Sequence, residues 1–243
     1  MTVLGILDCD ELAPELKPDY KHYAHMFTQL LRPHCEPLSI RRYNVLLGEF
    51  PEVVAECDAY LVTGSKTGVY DNDPWLAPLH DFIRRAYEQG IALVGVCFGH
   101  QMLAHSLGGE AAKSDKGWGL GAYDCEATQD AMQWYPEAPK KLCLLYSHQD
   151  QVISLPPGAQ RLYGNDFCPN AAYLIPQRVL AFQGHPEFTV DYSRRLMTLR
   201  QDRYAPGQYQ EALNTLDKPL DAAWVAKTIS HFIKTASDRK EKT

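Results

Sequence analysis

The first 109 residues alternate between short apolar runs and helix-like stretches, and no other feature of the sequence restricts the fold as much. "TVLGILDCD" (2–10), "PLSIRRYNV" (37–45), "AYLVTGS" (59–65) and "IALVGVC" (91–97) read as strands. Each is followed by a stretch that reads as a helix: "PDYKHYAHMFTQLLRP" (18–33), "PEVVAEC" (51–57), "DPWLAPLHDFIRRAYEQG" (73–90) and "FGHQMLAHSLGG" (98–109). Glycines stop the last two of these, and a proline lies at an end of others, as helix boundaries require. Strands joined through helices lie parallel, with right-handed crossovers. The fold class expected is therefore α/β: a twisted, mostly parallel sheet with helices on both faces.

Beyond residue 117 the pattern changes. From "WGLGAYDCEAT" (118–128) to "RVLAFQGHPEF" (178–188), short strand-like runs are separated by Gly, Pro and Asn, and these are expected to extend the sheet in antiparallel fashion. Three helical stretches follow, around 189–203, 207–216 and 220–236, and then a solvated tail from 237 to 243. No composition shift marks a linker, so a single domain over residues 1–243 is expected, a length that one substantial core can serve.

With 45% hydrophobic and 22% charged residues, the chain has the profile of an ordinary globular protein. A net charge of -6 without a dense basic stretch argues against a nucleic-acid partner. The N-terminal "MTVLGILDCDELAP" lacks the parts of a signal peptide, and no apolar run is long enough to span a bilayer, so no membrane partner is expected. Seven scattered cysteines, odd in number and without CxxC spacing, fit a reducing, cytoplasmic setting better than a disulfide framework.

The chemistry concentrates at two places. At "GVCFGHQ" (95–101) an apolar strand ends in Cys97, a helix begins at once, and Gly95 and Gly99 flank the thiol. Ligands of parallel sheets bind beyond the carboxyl ends of the strands, and a sharp strand-to-helix turn presents its residue there in a strained conformation that small neighbours tolerate. The helix N-terminus favours a thiolate, and the Phe98 amide is placed to donate to an oxyanion. A buried, inert cysteine in a tight turn is the alternative. At "VLAFQGHPEF" (179–188) a second apolar run ends in His185-Pro186-Glu187. His185 offers a base for the thiol, and Glu187 an acceptor that orients the imidazole. Taken alone, this stretch reads equally as a solvated loop.

Together these stretches resemble the class I glutamine amidotransferases of the Cys-His-Glu triad type. Gly95-Val96-Cys97-Phe98-Gly99-His100-Gln101 is similar to that family's nucleophile corner, and His185-Pro186-Glu187 to its base and orienter. Ser147-His148-Gln149-Asp150-Gln151-Val152 is similar to a run best known from GMP-synthase-type amidotransferase domains. The resemblance covers residues 1 to 190 and implies a flavodoxin-like sheet. It also implies a chemistry in which Cys97, His185 and Glu187 are catalytic and a γ-glutamyl thioester forms. Gly64 and Phe98 would form the oxyanion hole, and Gln101, Ser147, His148, Gln149, Asp150 and Gln151 would hold the substrate. No cofactor and no metal is implied. The substrate would be a small γ-glutamyl compound such as glutamine, with ammonia passed to a separate synthetase subunit. "GSKTGVYDNDPW" (64–75) departs from the Gly-rich oxyanion loop of many members and looks more like stand-alone ones, including γ-glutamyl peptidases.

Lesser candidates are read structurally. Asp8, Cys9 and Asp10 are expected to cap a loop, His22 and His25 to belong to an ordinary helix, His100 and His105 to pack α-helical turns, and Trp118 to pack beside the pocket. Tyr70, Asp73 and Trp75 are expected at its entrance. Two readings from other classes stay open: a non-catalytic regulatory domain of the same fold, and a thiol chaperone or redox sensor. An intact Cys97, His185 and Glu187 argue against the first. The His-Pro-Glu orienter would have no role in the second.

Overall fold

The computed structural model describes residues 2–35 and 37–240. Strands β1 (Thr2–Asp8), β2 (Leu38–Asn44), β3 (Ala59–Val62), β4 (Ala92–Val96), β6 (Gly119–Ala127), β7 (Lys141–His148), β9 (Gln160–Gly164), β10 (Ala172–Ile175) and β11 (Val179–Phe182) form one nine-stranded sheet, in the order β2-β1-β3-β4-β11-β10-β9-β6-β7. β5 (Glu110–Lys113) and β8 (Asp150–Ser154) form a separate antiparallel ribbon.

The central strands are buried on both faces and alternate with the period of two that a pleated strand imposes. In β1, Leu4 and Ile6 join one core and Leu7 the other; in β4, Val94 and Val96 join the first and Leu93 the second. Helices α2 (Tyr23–Leu31) and α8 (Ala222–Lys240) cover the first face through Phe27, Val225 and Ile229. Helices α3 (Leu76–Glu88) and α4 (Phe98–Ser106) cover the second through Leu79, Phe82 and Met102. A third core lies under α6 (Val190–Leu199) and α7 (Gln208–Asn214), where Leu196, Met197 and Ala212 pack on Leu120 and Leu145.

The α/β reading is therefore the observed architecture, with local differences. The first helix is broken into α1 (Lys17–Tyr20) and α2, because Lys21 has φ 61° and His22 begins the second helix, its Nδ1 accepting from the His25 amide at 3.0 Å. Residues 51–57 make only a 3-10 turn at Val54–Glu56. β6, β7, β9 and β10 do form the antiparallel extension, interrupted by a short helix α5 (Gln129–Trp134) and by β8, which pairs with β5 instead. β11 does not belong to that extension: it runs parallel to β4, with Ala181 opposite Gly95 and Phe182 opposite Val96. At the C-terminus, α8 continues to Lys240 and Ser237 is buried, so the first four residues of the expected tail are helical. Residues 241–243 lie outside the described residues.

Candidate functional site

Three adjacent parallel strands, β3, β4 and β11, end side by side. Val62 lies opposite Gly95, and Gly95 opposite Ala181. The segments that leave their carboxyl ends carry Gly64, Cys97 and His185, which places all three at one edge of the sheet, where open α/β sheets bind ligands.

Cys97 has φ 55° and ψ -106°, a backbone conformation that L side chains rarely adopt. Its amide donates to Phe182 O at 2.9 Å, which ties the corner to β11. The flanking glycines are needed for a packing reason. A Cβ on Gly99 would lie 2.1 Å from Val62 O, and one on Gly95 would lie 2.6 Å from Gly99 O. Helix α4 thus approaches β3 and β4 closely enough to exclude any side chain at either position. Gly64 is less tightly enclosed: a Cβ there would stand 3.0 Å from the His185 Cε1, so the imidazole would have to give by a few tenths of an ångström.

His185 is 4% exposed. Its amide donates to Leu145 O at 2.8 Å, its ring stacks on Phe188 with centroids 3.8 Å apart, and its Nδ1 lies 2.8 Å from Glu187 Oε1. Burial works against its charged form. The Glu187 carboxylate, the Cys97 sulfur and hydrogen bonds to both outweigh this and push its pKa up to about 10. The ring thus lies between an orienting carboxylate and a sulfur, both of which favour its charged form.

A cavity of ≈ 260 Å³ opens beside Cys97, walled by Gln101, Trp118 and the Ser147–Asp150 segment. A smaller recess of ≈ 20 Å³ joins Cys97, His185, Gly64 and Ser147. Of the residues expected at the site, Ser147 has an unpartnered buried hydroxyl and Asp150 is half-buried, its Oδ2 accepting from the Tyr70 hydroxyl at 3.0 Å. Burial raises the Asp150 pKa. His148 is buried and held neutral, its pKa lowered to about 4 by that burial, and its Nδ1 lies 2.9 Å from Asp150 O. Gln149 lines the cavity. Phe98 follows the corner, with Trp75 packed on its ring at 5.4 Å.

Gln151 and Trp75 lie elsewhere than expected, and Gln101 lies where expected with an added structural tie. Gln151 does not line either cavity; it is 3% exposed on β8, opposite Ala112, because the ribbon turns its side chain into the interior. Gln101 is at the cavity wall, but its Nε2 is committed to Asp150 O at 2.7 Å and Gln183 Oε1 at 3.1 Å, so it braces the β8 segment. Trp75 likewise lies under Phe98 instead of at the entrance. Asp8 pairs with Arg42 at 2.7 Å and Asp10 with Lys66 at 3.1 Å, as loop-capping residues would, and Asp10 also reaches the smaller recess. His100 is fully buried against Tyr173, its pKa lowered by that burial to about 3.

The sequence reading missed the basic side of the cavity. Arg200 and Lys66 line both cavities, and Arg203 lines the larger. Arg200 and Arg203 sit at the end of α6 and in the 3-10 turn Gln201–Arg203. Their sequence signal is only two arginines after an amphipathic helix, which is the ordinary composition of a solvated turn.

The family profile described as "Glutamine amidotransferase class-I" matches residues 23–198. A glutamine amidotransferase-like protein of Schizosaccharomyces pombe is 27% identical over 95% of this chain and 98% of its own length. Gamma-glutamyl peptidase 4 of Arabidopsis thaliana is 29% identical over 72% of this chain and 71% of its own. A GMP synthase of Aquifex aeolicus is 32% identical over 53% of this chain but only 24% of its own length. A crystal structure of a glutamine amidotransferase from Thermotoga maritima superposes with a TM-score of 0.74 over 97% of both chains, at 21% identity, and so shares the fold.

Proposed function

The chain belongs to the class I glutamine amidotransferases, and on that premise we propose that it hydrolyses γ-glutamyl amides through Cys97, His185 and Glu187. The observation that carries the reading is the geometry at the strand ends: a cysteine at positive φ, an imidazole beside it in the same recess, and Glu187 Oε1 2.8 Å from the ring's Nδ1.

In this reading the Cys97 thiolate attacks the γ-carbonyl carbon, and the amides of Gly64 and Phe98 donate to the oxyanion that develops. The tetrahedral intermediate collapses with cleavage of the C–N bond, and the His185 imidazolium gives its proton to the leaving nitrogen. Water then attacks the γ-glutamyl thioester while neutral His185 takes its proton. Glutamate leaves, and the thiolate–imidazolium pair is restored. Glu187 keeps the proton-bearing Nδ1 in place throughout.

Two versions share these steps and differ in the leaving amine. Glutamine releases ammonia, and a synthetase subunit that consumes it is supported by the likeness to GMP synthase over about half of this chain. A γ-glutamyl peptide releases an amino acid or peptide, a version supported by the likeness to the Arabidopsis peptidase. Among the described residues no helix is long and apolar enough to cross a membrane, and cytoplasmic action is part of the proposal, supported by seven cysteines that remain thiols. Glutamate release from glutamine and from a panel of γ-glutamyl compounds tests it. Turnover absent from Cys97→Ala is the expected result; equal turnover in that variant, or wild-type protein that neither turns over nor labels at Cys97 with a glutamine-like electrophile, sinks it.

A further inference from the structure

The charges around the cavity do not balance for glutamine. Lys66 is neutralised by Asp10, 3.1 Å away. Arg200 and Arg203 form no ion pair and no side-chain hydrogen bond among the described residues, yet both face the cavity, and Arg200 also reaches the recess that holds Cys97 and His185. The carboxylate on the same wall is Asp150, which takes only a neutral hydroxyl, that of Tyr70. The unneutralised charges of the wall are thus two guanidiniums and one carboxylate.

A γ-glutamyl group brings one ammonium and one carboxylate. These match Asp150 and one arginine, and the second arginine is left without an anion. Its fork of N–H donors suits a carboxylate. The ≈ 260 Å³ volume leaves room beside Cys97 for more than the ammonia that glutamine would release.

We propose that Arg200 and Arg203 form a subsite for a carboxylate on the leaving amine, so that the preferred substrates are γ-glutamyl amino acids or short γ-glutamyl peptides with a free carboxyl end. This rests on the hydrolytic reading above and identifies which of its substrates the site selects. The bond broken is the same γ-glutamyl C–N bond, and the leaving group departs as an α-amino acid or peptide.

The test compares γ-glutamylglycine with γ-glutamylglycinamide, which differ in that one carboxylate. In the wild type, kcat/KM favours γ-glutamylglycine by about 10- to 100-fold, the range of one charged hydrogen-bonding contact. In Arg200→Gln/Arg203→Gln, whose folding is checked by its unfolding midpoint, the ratio falls towards one. Calorimetric binding of the two compounds to Cys97→Ala gives the same comparison without turnover. A wild-type ratio near one in both assays overturns the subsite and leaves the hydrolytic reading standing. A double variant that weakens both compounds equally also overturns it, because the arginines then hold the γ-glutamyl carboxylate. Preferential binding of γ-glutamylglycine, with a wild type that neither turns over nor labels at Cys97 with a glutamine-like electrophile, supports the subsite while sinking the hydrolytic reading.

Discussion

Cys97 sits in a backbone conformation that costs about 1–3 kcal/mol in a residue with a Cβ. Glycine would adopt it without strain. Cys97→Gly and Cys97→Ala are therefore expected to be equally inactive, with the glycine variant more stable by about 1 kcal/mol in urea unfolding. His185 supports a second prediction. Its pKa rises from the usual 6.5 to about 10 on folding. A group raised in this way contributes stability that is fully present below pH 6.5 and is lost as pH rises through about 10. In Glu187→Gln the second-ranked contributor to that shift, and the strongest that raises it, is gone. The alkaline limb of kcat/KM is then expected to move to lower pH, kcat to fall about 10²–10⁴-fold, and the loss of stability on the alkaline side to begin earlier. Unfolding midpoints and rate profiles over the same pH series read both. At this scale the catalytic candidates were legible, because nucleophile, base and orienter are each marked by a neighbour of special shape: Gly95 and Gly99 for one, Pro186 for the others. Arg200 and Arg203 were not, because an arginine on a turn has the same sequence signature whether it faces solvent or a cavity.

Among the elements, α4 and the three strand ends beneath it set the site. The missing Cβ atoms of Gly95 and Gly99 let α4 lie directly on β3 and β4. Gly99→Ala would put a methyl group 2.1 Å from Val62 O, a backbone atom that cannot swing away. A loss of about 1–3 kcal/mol is expected, with a fall in kcat at temperatures where the variant is still folded, since the helix carries the nucleophile with it. Gln101 links α4 to the β8 segment and to Gln183. Gln101→Leu leaves Gln183 and the Asp150 carbonyl short of a donor and is expected to cost about 1–3 kcal/mol, again read by urea unfolding. The four N-terminal strands and the helices after β3 and β4 were legible from their apolar runs and glycine stops. The direction of β11 was not. A four-residue apolar strand looks the same parallel or antiparallel, and its partner β4 lies far away in sequence. The broken first helix was hidden too, because His22 is unremarkable in sequence and acts as a cap only once Lys21 takes up φ 61°.

Across the whole molecule, a sheet covered on both faces leaves all seven cysteines as buried thiols. Their accessibility therefore depends on unfolding, except where a cavity reaches one, and among the described residues both cavities beside the strand ends reach Cys97. Short exposure of the native protein to a small thiol reagent is expected to give one adduct, at Cys97, and exposure in denaturant to give seven, counted by peptide mass spectrometry. An early adduct at Cys143, which is as little exposed as Cys97, would show that burial alone ranks the thiols. The sequence by itself determined the α/β class, the strand-to-helix corner at Cys97 and the His-Pro-Glu run, because these depend on local periodicity and on neighbouring small or rigid residues. The tertiary structure alone decided that β11 lies parallel beside β4, that Gln151 turns inward while Gln101 becomes a brace, and that two arginines from beyond α6 line the cavity that Cys97 also lines. Those outcomes depend on which surfaces bury each other, and that is a property of the packed chain that no local stretch encodes.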